Sequence, residues 1–359
     1  MRRNPGSDQD RGGGTPAEVF GGPRQPESTS VSPATSPYDV DDPILSLIGN
    51  TSMIEYPDAV NDNLYVKLEK ENPTGSMKDR IALGMTLEMY KTGDIDRNDL
   101  IVEASSGNTA GGVSLVANRL GHDCVITTPE TTSRQKIGYV KSLGAELIEC
   151  PAVDSGSADH YRNQADTIAD NRGGVFLDQY HNQLNPEVHA KWTGPELYQQ
   201  LEDVTHVVCP MGTGGTLSGI GKYLKNQNPT VEIIGVDAIN SNISTAFYDN
   251  DPVSYETQIE GLGKGSKTPT MWFEYVDDVF DVSDDVAIRW AKKSAKENGI
   301  LIGPSSGAAL SIAHSIASDN PGSVVALIAC DGGEQYFDVL ASVEQPSPCR
   351  DAVSGGNRQ

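Results

Sequence analysis

Basic residues are scarce in this 359-residue chain. Lysine and arginine together number 27 against 50 aspartates and glutamates, a net charge of −23. A surface this acidic repels nucleic acid and anionic membranes. Long apolar runs are also missing. None approaches the roughly 18 residues of a membrane span, so no membrane role is expected. Cysteine is sparse and odd in number: Cys124, Cys150, Cys209, Cys330 and Cys349, with no C-x-x-C pair. That excludes a secreted disulfide framework and a cysteine zinc site. The six histidines contain no H-E-x-x-H and no short metal-binding pair, so no metal is expected. No G-x-S-x-G elbow is present. Arg2 and Arg3 are not followed by an apolar stretch, which argues against a signal peptide and for a cytoplasmic protein.

The acidity belongs to the body of the chain. Residues 1–40 carry four arginines against five acidic residues, so nearly all the negative charge lies beyond them. Charge of one sign repels itself in dilute salt and is tolerated when screened. The expectation is a protein adapted to a salt-rich cytoplasm. Residues 1–41 are rich in glycine, proline and serine and poor in large apolar residues, which predicts a disordered segment. Residues 343–359 read as a flexible tail. No internal repeat is visible.

Between these ends, short β-branched runs alternate with helical stretches. Strands are expected at Leu64–Leu68, Leu100–Glu103, Cys124–Thr128, Glu146–Glu149, Val175–Leu177, His206–Cys209, Glu232–Val236 and Val324–Ala329. Helices are expected at Lys78–Lys91, Thr109–Leu120, Ser133–Leu143, Pro186–Leu201, Thr216–Asn226, Asp284–Asn298 and Ser306–Ala317. Gly121, Gly144 and Gly299 sit just past helices, where a left-handed cap suits glycine. Such alternation predicts an α/β fold with mostly parallel sheets and helices on both faces. Ligands then bind beyond the carboxyl ends of strands.

Several glycine- and hydroxyl-rich stretches fall at those strand ends. Asn72-Pro-Thr-Gly-Ser-Met-Lys78-Asp-Arg80 places a lysine at a helix entry, without Walker A spacing. Ser105-Ser106-Gly107-Asn108-Thr109 joins a strand to a helix and can form a carboxylate nest. Gly212-Thr213-Gly214-Gly215-Thr216 follows a strand and opens a helix. Leu217 stands where a dinucleotide fingerprint needs its third glycine, so a compact phosphate cup fits better. Gly303-Pro-Ser305-Ser-Gly307 and Asp331-Gly-Gly-Glu-Gln-Tyr336 are weaker signals of the same kind. Cys124 and Cys209 lie in apolar strands and read as inert core thiols.

Taken in order, six stretches resemble the cysteine synthase and cystathionine β-synthase family of fold type II pyridoxal-phosphate enzymes. They are 72–80, 105–109, Asp-Gln-Tyr-His-Asn at 178–182, 212–216, Glu-Gly-Leu-Gly at 260–263, and 303–307. The resemblance spans about residues 42–340. It implies two lobes in a catalytic domain at 42–342, each with a mostly parallel twisted sheet flanked by helices, the smaller lobe near 86–187. It implies pyridoxal 5'-phosphate as cofactor and a homodimer.

By the same resemblance Lys78 is the Schiff-base lysine and the catalytic base. Asn108 contacts the cofactor's ring oxygen. Gly212, Thr213, Gly214, Gly215 and Thr216 hold its phosphate, and Ser305 faces the ring nitrogen. Ser105, Ser106, Thr109 and Gln179 hold the substrate α-carboxylate. A neutral hydroxyl at the ring nitrogen makes a weaker electron sink than a carboxylate and suits quick β-elimination. The implied reaction is β-replacement on O-acetylserine or O-phosphoserine with sulfide, through an aminoacrylate, to give L-cysteine. Cystathionine synthesis from serine and homocysteine is the alternative, disfavoured because no regulatory module is expected after residue 342 and residues 1–40 have no cysteine or histidine for haem. A serine or threonine dehydratase shares the fold, and retention of Lys78 with both nests argues against a non-catalytic binding scaffold. Lys264 and Lys267 follow the 260–263 motif, which borders the substrate entrance in this family, and two cations there would suit a phosphorylated substrate.

Overall fold

The computed structural model describes residues 38–57 and 63–342. The segment 343–359 lies outside the described residues, as do 1–37. Tyr38, at the end of the stretch expected to be disordered, is instead buried, with its ring 4.7 Å from that of Trp192. The packed body therefore reaches back to Tyr38 rather than beginning at residue 42.

Among the described residues, ten strands form two sheets. They are β1 Met53–Glu55, β2 Leu64–Leu68, β3 Ile101–Ala104, β4 Cys124–Pro129, β5 Glu146–Cys150, β6 Val175–Phe176, β7 His206–Pro210, β8 Glu232–Ala238, β9 Asp278–Val282 and β10 Val325–Ala329. The larger sheet has the order β1-β2-β10-β7-β8-β9 and is parallel except for β1. The smaller has the order β5-β4-β3-β6 and is parallel throughout.

Strand periodicity explains the layering. Successive side chains of a strand point to opposite faces. In β10, Val325, Leu327 and Ala329 join one apolar cluster, packed with residues of the helices Asp284–Asn298 and Pro304–Asp319. Ala326, Ile328 and Cys330 join another, with Leu217, Ile220 and Leu224 of the helix Gly215–Gln227. A strand with apolar partners on both faces reads as a continuous apolar run, which is why Val-Ala-Leu-Ile-Ala was legible. β1 and β9 were not anticipated. Both are edge strands, and in β9 three of the five residues, the two aspartates among them, are only half-buried.

The expected helix Pro186–Leu201 is subdivided. A turn at Leu184–Val188 leads into a five-residue π-helical stretch, His189–Thr193, and then a helix at Gly194–Gln200. Helices at Tyr161–Arg172, Asn242–Phe247 and Phe337–Ser342 complete the body. Among the described residues, no helix is long and apolar enough to cross a membrane.

Candidate active site

The carboxyl ends of β2, β3, β7 and β10 lead into the walls of one cavity of about 260 Å³. This is where parallel α/β architecture places ligands. Lys78, Ser105, Ser106, Asn108, Thr109, Gln179, Gly212, Thr213, Gly214, Thr216 and Ser305 all line it. Gly215 lies just behind, against Asn185.

Lys78 is the first residue of the helix Lys78–Thr92. The turn before it is pinned to β10: the Met77 N–H donates to the Cys330 carbonyl at 2.8 Å, and Ser76 bridges Asp331. Lys78 makes no ion pair among the described residues. Burial pulls its pKa below the usual ammonium range. An amine so placed gives up its proton more readily, as a base requires. Two residues on, Arg80 turns away from the cavity and is fully buried. Its guanidinium meets Glu69 at 2.6 Å and Glu196 at 2.8 Å, and Lys67 meets Glu196 at 2.6 Å. The Asn72–Arg80 stretch thus presents one cation to the cavity and spends another on anchoring the helix.

The glycine-rich loop after β7 turns sharply into the helix Gly215–Gln227. Gly214 has φ +75°, and a β-carbon there would lie 2.3 Å from Met271 Cγ; at Gly215 it would lie 2.1 Å from Asn185 Oδ1. Only glycine permits this path. The first N–H groups of the helix have no carbonyl of their own helix to meet; the Gly215 N–H turns to Thr213 Oγ1 at 3.3 Å, and such a helix start is suited to an anion. Thr216 is steadied by His189, whose Nε2 lies 3.0 Å from its Oγ1. Burial holds the His189 imidazole well below its usual pKa, so it is neutral. The π-helical stretch that delivers His189 carried no signal in the sequence.

Facing this loop, Ser105–Thr109 runs from β3 into the helix Asn108–Leu120. Thr109 Oγ1 donates to Gln179 Oε1 at 2.7 Å, tying the two expected carboxylate contacts together. Behind them Glu103 is buried. One of its oxygens accepts the Ala104 N–H at 3.0 Å, and the other meets no hydrogen-bond criterion among the described residues. Burial, with the nearby charge of Asp178, pushes its carboxyl up to about 8, so it is protonated at neutral pH.

Asp331 and Tyr336 are the residues the sequence reading undervalued. Asn108 Nδ2 donates to Asp331 Oδ2 at 2.7 Å, and Tyr336 donates to the same oxygen at 2.6 Å. Burial pushes the Asp331 carboxyl up to about 6. Asp331 Oδ1 and Asn108 Oδ1 are both buried without a hydrogen-bond partner among the described residues. Asn108 Nδ2 also donates a longer bond to Tyr336 Oη at 3.4 Å. Unspent polar atoms beside an unpaired lysine and an anion-ready helix start fit a polar, phosphate-bearing ring compound. Ser305, buried in the first turn of the helix Pro304–Asp319, lines the same space.

Of the two entrance lysines, only Lys264 lines the cavity. Lys267 is exposed and lies 4.2 Å from the Phe273 ring centroid.

An amine set among two anion-receptive helix starts, at the switch between parallel strands, defines an enzyme that couples a phosphate-bearing cofactor to amino-acid chemistry. Residues 44–331 match the pyridoxal-phosphate dependent enzyme family. The chain is 39% identical over 302 residues to a cysteine synthase of Staphylococcus aureus, across 82% of this chain and 95% of that enzyme. It is 35% identical over 293 residues to the cystathionine beta-synthase of Saccharomyces cerevisiae, across 77% of this chain and 58% of that enzyme. Among solved structures it resembles O-acetylserine sulfhydrylase isoform 3 of Entamoeba histolytica, with a TM-score of 0.77 at 26% identity over 86% of this chain and 94% of that one. The chain belongs to the pyridoxal-phosphate dependent enzyme family, and its cofactor is pyridoxal 5'-phosphate.

Proposed function

We propose that the protein makes L-cysteine by replacing the β-substituent of O-acetyl-L-serine or O-phospho-L-serine with sulfide. It is a β-replacing enzyme of the cysteine synthase type. The observation that carries the site assignment is Lys78: an amine without an ion-pair partner among the described residues, drawn below its usual pKa by burial, between two loops suited to anions.

The residues present fit the cofactor. Gly212 to Thr216 and the helix start at Gly215 would hold its phosphate, Asn108 would bind its ring oxygen, and Ser305 would serve its ring nitrogen. Ser105, Ser106, Thr109 and Gln179 bind the substrate α-carboxylate. Bound there, pyridoxal phosphate would supply an electron sink for the charge that develops at the substrate's α-carbon. Lys78 takes the proton from Cα and later returns it. The carboxylate nest fixes the substrate so that the Cα–H faces Lys78, which lowers the entropic part of the barrier. Ser305 would offer the ring nitrogen a neutral hydroxyl rather than a counter-charge.

We further propose a homodimer that works in a salt-rich cytoplasm. The body charge supports the salt requirement. The test of the reaction is product identity. Purified holoenzyme supplied with either serine ester and sulfide should release L-cysteine in amounts matching the sulfide consumed. Release of a keto acid regardless of sulfide, or turnover only with serine and homocysteine, would overturn this assignment.

A further inference from the structure

Lys264 faces the cavity in unusual company. Its Nζ donates to Tyr180 Oη at 3.0 Å and lies 4.6 Å from the centroid of the same ring. The Arg162 guanidinium stands 4.5 Å from that ring. Tyr161 and Tyr255 continue the wall.

In so acidic a chain, carboxylate partners for lysine are plentiful, and six of the fourteen lysines take a close one. Lys67, Lys91, Lys136, Lys191, Lys222 and Lys225 each lie within 3 Å of a carboxylate. Lys264 has no such partner among the described residues; the groups that act on its charge most are the tyrosines 180, 161 and 255. The neighbouring acids are engaged or neutral. Glu260 pairs with Lys136. Asp178 meets His181 at 2.7 Å and Arg162 at 3.9 Å. Glu103 is protonated at neutral pH. Asp237 accepts the backbone N–H groups of Ala238 and Ser244. An ammonium has three hydrogens, and one is spent on Tyr180. Tyr180 accepts that bond, so its own O–H is left to donate. These donors line the same cavity as Lys78.

We propose that Lys264 and Tyr180 form an anion subsite for the β-substituent, and that this substituent is a phosphate, which makes O-phospho-L-serine the preferred donor. The inference rests on the cysteine synthase reading above. A phosphate ester brings a double negative charge and several acceptor oxygens to an unmatched ammonium, whereas an acetyl ester is neutral. The Cβ–O bond breaks with its electron pair going to the phosphate oxygen, and a C–S bond forms at Cβ. O-phospho-L-serine and hydrogen sulfide give L-cysteine and hydrogen phosphate, with atoms and charge balanced.

The experiment uses full-length holoenzyme at fixed KCl. Initial rates with O-phosphoserine and O-acetylserine are compared for wild type, Lys264→Met, Tyr180→Phe and Lys267→Met. Calorimetric titration of each holoenzyme with inorganic phosphate gives a readout independent of turnover. Wild type should favour the phosphate ester in kcat/KM. Lys264→Met should lower that preference at least tenfold, mainly through KM, and should weaken phosphate binding at least tenfold. Tyr180→Phe should do the same to a smaller extent, and Lys267→Met should change the preference less than twofold. Equal preference in wild type and Lys264→Met, or phosphate binding that ignores Lys264, overturns the subsite while cysteine formation from O-acetylserine stands. If wild type makes cysteine from neither ester, the cysteine synthase reading fails and the subsite with it.

Discussion

Replacing Arg80 by methionine tests how the helix that carries Lys78 is held. The side chain is fully buried and bridges two carboxylates, Glu69 and Glu196. Burial alone would push Glu69 up, yet the Arg80 charge and hydrogen bonds outweigh it and bring the carboxyl down to about 2. Methionine fills much of the volume but strands two buried acids with only Lys67 to share. Breaking a buried pair on one side costs about 3–5 kcal/mol. For a chain of this size that lowers the melting temperature by roughly 5–15 °C. The sign with pH follows from the lowered pKa. The Glu69 contribution is present above the ordinary carboxylate range and fades as pH falls toward about 2. The variant's deficit should therefore be greatest near neutrality and shrink below pH 4, where Glu69 in the variant is protonated. Urea unfolding of both proteins at fixed KCl across pH measures this. Arg119→Ala, which removes a half-exposed pair with Asp42, serves as the contrast and should cost about 0–1 kcal/mol. An Arg80→Met deficit under about 1 kcal/mol, or one independent of pH, would refute the reasoning.

Other outcomes follow from the same structure. Glu103→Gln should gain stability relative to wild type as pH rises through about 8, because the raised carboxyl favours folding only while protonated; a constant difference across pH 5–9 in denaturant unfolding would contradict it. Ser305→Ala removes one neutral hydrogen bond of order 1 kcal/mol, so equilibrium dialysis should find cofactor affinity about fivefold weaker, and a loss of a hundredfold would mean a charged contact. The melting temperature should climb steadily from dilute to molar KCl as the body charge is screened, and indifference to salt would remove the halophilic reading. Deleting residues 1–37 should leave turnover within a few-fold, while deleting 1–40 should also lower the melting temperature by removing buried Tyr38.

Much of this architecture was legible because its strands are apolar on both faces and its helices carry caps. β10 is recognisable as Val-Ala-Leu-Ile-Ala, and the helix Asp284–Asn298 is bounded by a Ser283 cap and Gly299 at φ +71°. β9 was not, because its Asp-Val-Phe-Asp-Val pattern belongs to an edge with little to bury. Nor was the helix Tyr161–Arg172, which buries only Ala165 and Ala169. At the site, local motifs were readable because glycine and hydroxyl residues at a strand end are themselves the chemistry. What could not be read was convergence. Asp331 is 223 positions from Asn108, yet they share a hydrogen bond. Lys264 and Lys267 look alike in the chain, and only folding sends one to the cavity and the other to Phe273. His189 carried no signal of its own among the six histidines, and its role at Thr216 depends on a local π-helical stretch.

The central claim is that Lys78 both joins the cofactor and moves the Cα proton. Lys78→Ala, purified and loaded with pyridoxal phosphate in high salt, should lack the visible absorption of the lysine-bound cofactor. It should form L-cysteine from either serine ester at a rate lower by at least a thousandfold, and its far-ultraviolet circular dichroism should match wild type. Wild-type colour and turnover in that variant would contradict the account.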